Sequence, residues 1–422
     1  MLLRFRFSNY RSFFAEQELS MVATSISELP GAVIQTPAVR EGVLPVAGIY
    51  GANASGKTNV LKALNFAVNA VRDSFRTWPA DGPIPFDPFA LKKISGGVPS
   101  RFVIDFVLEK IRYQYGFAMD SKVILEEWLH AYPQGRRQNW FVRFAGKPIA
   151  FSRTMPGENR TIERLTRANC LFLSAAAQHN HSILTPIHGW LANLKIYIDS
   201  LQAVPMDVTK ALLARDTTKL LADVLRNADL GVSGLQCKRR FYSGIAALAP
   251  LEGEWSREFY ELAFEHQAGT DSFTLPEHEE STGTLSYLSL LGPIIHALAT
   301  GTLVIVDELD RSLHPVLARQ IIQIFQTPVT NPKGAQLIFS SHDTNLLTSG
   351  QLRRDQIWFA EKDQTGSSRL YPLSDFNPRK DESLQSGYLN GRYGAIPLLN
   401  SRAFLESLQS VTHGKVKQTK SR

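Results

Sequence analysis

The sequence predicts an α/β protein in which a mixed sheet carries a phosphate-binding loop, an antiparallel β subdomain sits beside it, and a helical insertion interrupts the chain. Three observations predict this. VLPVAGIY runs straight into GANASGKT (residues 51–58) and then into a stretch with helical apolar spacing, which reads as strand, glycine loop and helix. RFVIDFVL, YQYGFAM, VILEEWLHAY and NWFVRF read as four short strands with turn signals between them, an antiparallel sheet. LVIVDELD and QLIFSSHD are short apolar runs closed by polar residues, the pattern of strands buried in a sheet.

In chain order, LLRFRFSNYRSF alternates apolar and polar residues and forms a hairpin with QELSMVA. A loop containing Pro and Gly (residues 29–44) leads to the glycine-loop strand, and SGKTNVLKALNFAVNAVRDSF is the helix that follows. WPADGPIPFDPF is too rich in Pro and Asp to be regular, and residues 162–200 are mixed. VTKALLARDTTKLLADVLRNA has the spacing of one amphipathic helix, starting after Asp207 and ending near Asp229, and is the expected insertion. LQCKRRFY and FYELAFEHQ resume strand character, SYLSLLGPIIHALA reads as a helix carrying one proline, and PVLARQIIQIFQ as another helix. QIWFAEK and SSRLYPL form a final strand pair. The predicted layout is one lobe over residues 1–200, the insertion over 201–230 and a second lobe over 231–422.

Composition excludes several classes. Hydrophobic residues at 44% and aromatics at 10% suit a globular chain and argue against disorder. No run of 18 apolar residues and no cleavable leader pattern is found, so a cytoplasmic protein with no membrane span is expected. Cys170 and Cys237 lack metal-ligand spacing and read as reduced packing residues. The net charge is +7, of which Lys415, Lys417, Lys420 and Arg422 supply four, so the basic balance is largely a solvated tail.

The chemistry begins at residues 51–58. Phosphate oxygens need donors at close approach, and a glycine-rich turn at the positive end of a helix offers backbone N–H groups without Cβ obstruction. Gly51, Asn53, Ser55 and Gly56 build that loop, Lys57 reaches the β/γ-phosphates, Thr58 supplies a hydroxyl to Mg²⁺, and Asn59 follows in the helix. Asp307 and Glu308 end a buried strand, where α/β sheets present residues to ligands; Asp307 suits Mg²⁺ and Glu308 suits the attacking water. His342, just past QLIFSS, reaches the γ-phosphate if its strand lies beside the other two. The cofactors expected are therefore ATP and Mg²⁺.

In this order the motifs resemble the ABC-type ATPase heads of the SMC, RecF and OLD group. FSNYRSF (residues 7–13) is similar to that group's first strand, whose basic residue, Arg11 here, lies near the nucleotide. EESTGT (residues 279–284) resembles its degenerate signature, and DELDRSLHP (residues 307–315) resembles Walker B followed by a D-loop with Asp310 as its acid. ADLGVSGL and YLNGRYGAIP resemble further segments of OLD-like ATPases. The resemblance implies a head-to-tail dimer in which Ser281 and Gly283 cap the γ-phosphate of a partner's ATP, with stacking into higher oligomers left open. Capping of the helix by Ser281 or Thr282 accounts for the same segment. The chain departs from transporters in having no LSGGQ and from GTPases in having no NKxD; Gln114 lies within a predicted strand and is a poor Q-loop residue. No coiled-coil arm and, after residue 350, no Toprim carboxylate cluster is found, so chemistry beyond ATP hydrolysis is expected from another protein.

Three functions follow. The leading one is the ATPase sensor of a bacterial anti-phage or abortive-infection system, resembling the PARIS, Septu and AbiL/RloA kind, which controls a separately encoded nuclease or toxin and answers a phage protein. The second is a RecF-like repair clamp, with Arg136-Arg137 and Lys238-Arg239-Arg240 contacting DNA phosphates. The third, a scaffold that binds ATP without hydrolysing it, has no need of Glu308.

Overall fold

The first strand, β1 (Leu2–Ser8), buries Phe5 and Phe7 and turns Arg4 and Arg6 outward, as its alternation dictates. The computed structural model describes all residues except 93–96, 154, 198–205, 214–216, 245–254, 349, 380–381, 398–404, 407 and 410–422. After β1 come β2 (Gln17–Ser20), β3 (Ile34–Thr36), β4 (Val39–Val43), β5 (Val46–Tyr50) and α1 (Lys57–Thr77). Five strands follow, β6 (Ser100–Leu108), β7 (Ile111–Met119), β8 (Ile124–Tyr132), β9 (Gln138–Phe144) and β10 (Ala150–Phe151), then α2 (Asn159–Leu165), α3 (Phe172–Gln178), α4 (Leu184–Ala192) and β11 (Lys195–Tyr197).

These strands make an antiparallel sheet in the order β10-β9-β8-β7-β6-β1-β2. The expected hairpin and the expected four-stranded sheet are thus one sheet, joined where β1 pairs with β6. Its inner face, with Phe5, Phe102, Phe106, Phe117 and Phe141, packs in one core with α1, α3 and α4.

The second half contains α5 (Asp207–Leu212), α6 (Thr218–Asn227), β12 (Val232–Gly244), β13 (Trp255–Ala268), β14 (Asp271–Pro276), α7 (Thr282–Thr300), β15 (Leu303–Val306), α8 (Pro315–Gln326), β16 (Gln336–Ser340), β17 (Ile357–Lys362), β18 (Ser368–Pro372) and α9 (Leu384–Leu389). The central sheet runs β11-β15-β16-β5-β17-β18, parallel except for the last pair. β5, β15 and β16 are buried at every residue, which explains why they read as unbroken apolar runs. The fold is therefore a mixed α/β one, a parallel-dominated sheet with an antiparallel β subdomain.

Of the helix expected over the insertion, the structure shows α5 and α6; residues 214–216 between them lie outside the described residues. α5 docks on α7, where the proline predicted inside a helix is Pro293. Pro293 has no N–H to give the carbonyl of Ser289; the buried Thr209 of α5 supplies the hydrogen instead, its Oγ1 donating at 3.1 Å to both Leu288 O and Ser289 O. Gly292 makes room, since a Cβ there would lie 2.2 Å from Thr209 Oγ1. By length and composition alone α7 is long and apolar enough to cross a bilayer, and 56% of its apolar window is buried within the protein. The basic tail lies outside the described residues.

Candidate phosphate-binding site

β16 lies between β15 and β5 and runs parallel to both, so residues 51–58, 307–310 and 340–342 emerge from neighbouring carboxyl ends of the central sheet. Gly51 (φ 152°), Ala54 (φ 61°) and Gly56 (φ 113°) turn the loop through left-handed conformations, and Gly56 becomes the N-cap of α1. A Cβ at Gly51 would lie 2.3 Å from Ala360 O and one at Gly56 2.6 Å from Ser368 Oγ, so the loop is pressed against β17 and β18. Asn53 is exposed at the loop tip, Thr58 stands in the first turn of α1, and Ser55 Oγ is buried with no partner among the described residues.

Lys57 is the group most in need of an anion. It is 6% exposed, and its Nζ donates to Gly51 O at 2.9 Å and Ala52 O at 3.1 Å. Burial pushes the ammonium down to about 8, against the opposing pull of Asp307, Glu308 and Asp310. His342 feels the same groups: burial and then Lys57 lower its affinity for a proton, so the ring is neutral near pH 7. Its backbone N–H donates to both carboxylate oxygens of Asp310 at 3.3 Å. Lys57, Asp307, Glu308, Asp310 and His342 thus form one electrostatic cluster.

Ser340, the last residue of β16, organises the acids. Its hydroxyl accepts from Glu308 N at 2.8 Å and donates to Asp307 Oδ1. Glu308 is held at φ 52°, a left-handed conformation that costs a non-glycine residue on the order of 1–2 kcal/mol. Arg311, three residues on, lies 3.5 Å from its carboxylate. His314 then caps α8, its Nδ1 accepting from Val316 N, with Pro315 in the first turn.

Residues 46–348 match the family model described as "AAA domain, putative AbiEii toxin, Type IV TA system", a span well over half the chain. The chain belongs to this family. No curated protein matches it. The AAA domain so identified carries an ATPase fold of a kind associated with abortive infection and toxin–antitoxin systems.

Four other expected site residues make contacts within the chain. Arg11 sits at φ 49° with its guanidinium 2.8 Å from Asp87, and it is the next residue, Ser12, that meets the phosphate loop. Asn59 Nδ2 and Ser368 Oγ both donate to Ser12 Oγ at 2.9 Å, tying α1, the first loop and β18 together beneath Gly56. Ser281 is the N-cap of α7, its hydroxyl accepting from Thr284 N at 3.0 Å, while its own N–H donates to Glu280. Gly283 approaches the carbonyl of Ser312, so the segment stacks on residues 307–315 of its own chain. Ser12 and Ser340 escaped sequence reasoning because a lone serine carries no spacing signal; only the strand end at QLIFSS pointed toward the second.

Proposed function

We propose that the chain is an ATP-hydrolysing switch whose site is completed by a second copy, and that it controls a separately encoded nuclease or toxin in an anti-phage or abortive-infection system. The observation that carries the ATPase reading is the convergence of a buried Lys57, its ammonium destabilised by burial, with Asp307, Glu308 and His342 at three adjacent strand ends. The family's description supports the defence setting.

The residues fit ATP with Mg²⁺. Among the described residues Lys57 donates hydrogen bonds only to two carbonyls and Ser55 Oγ has no hydrogen-bond partner, so both suit oxygen-rich ligand atoms. Among the described residues no three His, Cys, Asp or Glu side chains gather into a cation cage. That suits a cation retained largely by phosphate and water, with Thr58 and Asp307 as its protein ligands. Bound there, Mg²⁺ would neutralise charge on the β- and γ-phosphates. Lys57 would bind the same oxygens, Glu308 would orient and polarise the attacking water, and the neutral His342 would donate a hydrogen bond toward the γ-phosphate. Ser281 caps its own helix and still stands at the N-terminal end of a 19-residue helix, able to face a partner's phosphate.

Nucleotide binding to Lys57→Ala and size-exclusion chromatography of Glu308→Gln test this reading. Lys57→Ala is expected to lose ATP, and Glu308→Gln to retain it and accumulate as a dimer; a Glu308→Gln protein that binds ATP as a monomer would contradict the shared site. Co-purification with the products of neighbouring genes, at native expression, tests the effector: a nuclease or toxin in fixed stoichiometry supports it, and recovery of the ATPase alone on DNA points instead to a repair clamp.

A further inference from the structure

The outer face of the seven-stranded sheet carries a groove that the phosphate-loop site does not use. Glu126, Trp128 and His130 of β8 line it, and the register sets Trp128 opposite Gly116 of β7 and Val142 of β9. A Cβ at Gly116 would lie 2.2 Å from the Trp128 ring, so glycine is what lets the indole lie across the neighbouring strand. Arg101 of β6 covers that indole, its guanidinium 4.4 Å from the ring centroid, and pairs with Glu126 at 2.9 Å. The groove encloses about 380 Å³, and Arg6, Arg137 and Phe144 add basic and aromatic groups to its lining, which also includes the acidic Glu16.

Two features separate it from an ordinary solvated sheet face. His130 is 5% exposed, yet its Nδ1 has no partner among the described residues. Arginine only donates, so Nε2 accepts from Arg137 at 3.0 Å and the ring hydrogen sits on Nδ1. Burial, then Arg137, pushes the imidazole down to about 4, which keeps it a neutral and fixed acceptor. Arg137 in turn has only neutral described partners, His130 and the Asn139 Oδ1 at 3.1 Å. Among the described residues no carboxylate forms an ion pair with that guanidinium, and Arg6 is only loosely paired, with Glu18 at 3.8 Å. Phe144 presents a ring that is 46% exposed beside them.

We propose that this groove binds a nucleotide, its phosphate taken by Arg137 and Arg6 and its base laid on Phe144. An acidic peptide would satisfy the guanidinium groups but leave the exposed ring without a role. A base supplies a flat face to lie on it. The volume suits one nucleotide, whether free or one unit of a single strand.

The test uses the full chain in a Lys57→Ala background, which disables the phosphate loop. AMP is titrated by calorimetry and a fluorescein-labelled single-stranded oligonucleotide by anisotropy. Binding of AMP identifies a free nucleotide as the ligand, and binding of the oligonucleotide alone identifies a strand; either supports the groove if Arg137→Ala and Phe144→Ala each weaken it about tenfold. Both positions are exposed, and unchanged thermal unfolding of each variant verifies that the fold is intact. Arg137→Lys, which keeps the charge, is expected to recover part of the affinity. The proposal is overturned if neither probe binds, if inorganic phosphate competes as well as AMP, or if Arg137→Ala changes affinity by less than about twofold.

Discussion

Ser340→Ala removes one hydroxyl and so disconnects the two acids of the site from the strand that holds them. Ser340 is fully buried, accepts from Glu308 N at 2.8 Å and donates to Asp307 Oδ1. Leaving a buried N–H without an acceptor costs about 1–3 kcal/mol, and losing a hydrogen bond to a carboxylate about 1.5–3 kcal/mol. Asp307 is only partly buried and can recruit water, so the two do not add in full, and a loss of about 2–4 kcal/mol is expected. Function should suffer beyond stability. Glu308 holds its left-handed backbone against Ser340, and once released its carboxylate no longer has a fixed position. ATP turnover should fall about tenfold or more while nucleotide affinity, set by Lys57 and the loop, changes little. Urea unfolding with an unchanged m value reads the first quantity, and single-turnover hydrolysis the second. Ser340→Thr, which keeps the hydroxyl, is the control. A Ser340→Ala protein within about 0.5 kcal/mol of the parent and hydrolysing ATP at the parent rate would refute the reasoning.

Other consequences concern Lys57 and α7. Because the folded Lys57 releases its proton at about 8 rather than 10.5, the unfolded chain binds more protons between those values, and this group's contribution makes stability rise with pH across that window. Phosphate binding requires the charged form, so ATP should bind with proton uptake that grows above about pH 8, visible by calorimetry in buffers of different ionisation enthalpy; binding without uptake at pH 9 would contradict it. Thr209→Val keeps the shape but leaves the Ser289 carbonyl, which Pro293 cannot serve, without a donor; denaturant unfolding should show a loss of about 1–2 kcal/mol. Gly292→Ala drives a Cβ into Thr209 and should cost about 1–3 kcal/mol by the same measurement.

What the sequence discloses follows how local each signal is. The glycine loop and the strands at residues 303–306 and 336–340 were legible because burial on both faces leaves an unbroken apolar run, and because the loop's chemistry is contiguous. The merging of the first hairpin with the antiparallel sheet was not, since β1 meets β6 about a hundred residues away and no residue in either strand names its neighbour. β14 escaped notice because its residues are mostly exposed and carry no alternation. Apolar spacing through residues 207–229 marks the insertion as helical, but nothing local reveals that Thr209 docks against Gly292 some eighty residues on. In the site, charged residues declared themselves, whereas Ser12 and Ser340 act only through what the fold places beside them. Arg11, a charge that the sequence marks, pairs with Asp87 at 2.8 Å.

The central claim, that one chain's signature helix completes the other's phosphate site, is tested most directly by complementation. Lys57→Ala disables the phosphate loop. Ser281→Asp keeps an N-cap residue on α7 and adds a carboxylate that would repel a partner's phosphate. Each variant alone should be inactive, since every site in its dimer carries a defect. Mixed one to one, the two should regain ATP turnover up to about a quarter of the parent rate, from the single intact site in each mixed dimer. A Ser281→Asp protein that hydrolyses ATP normally, or a mixture that stays inactive although mixed dimers form, would contradict the shared site.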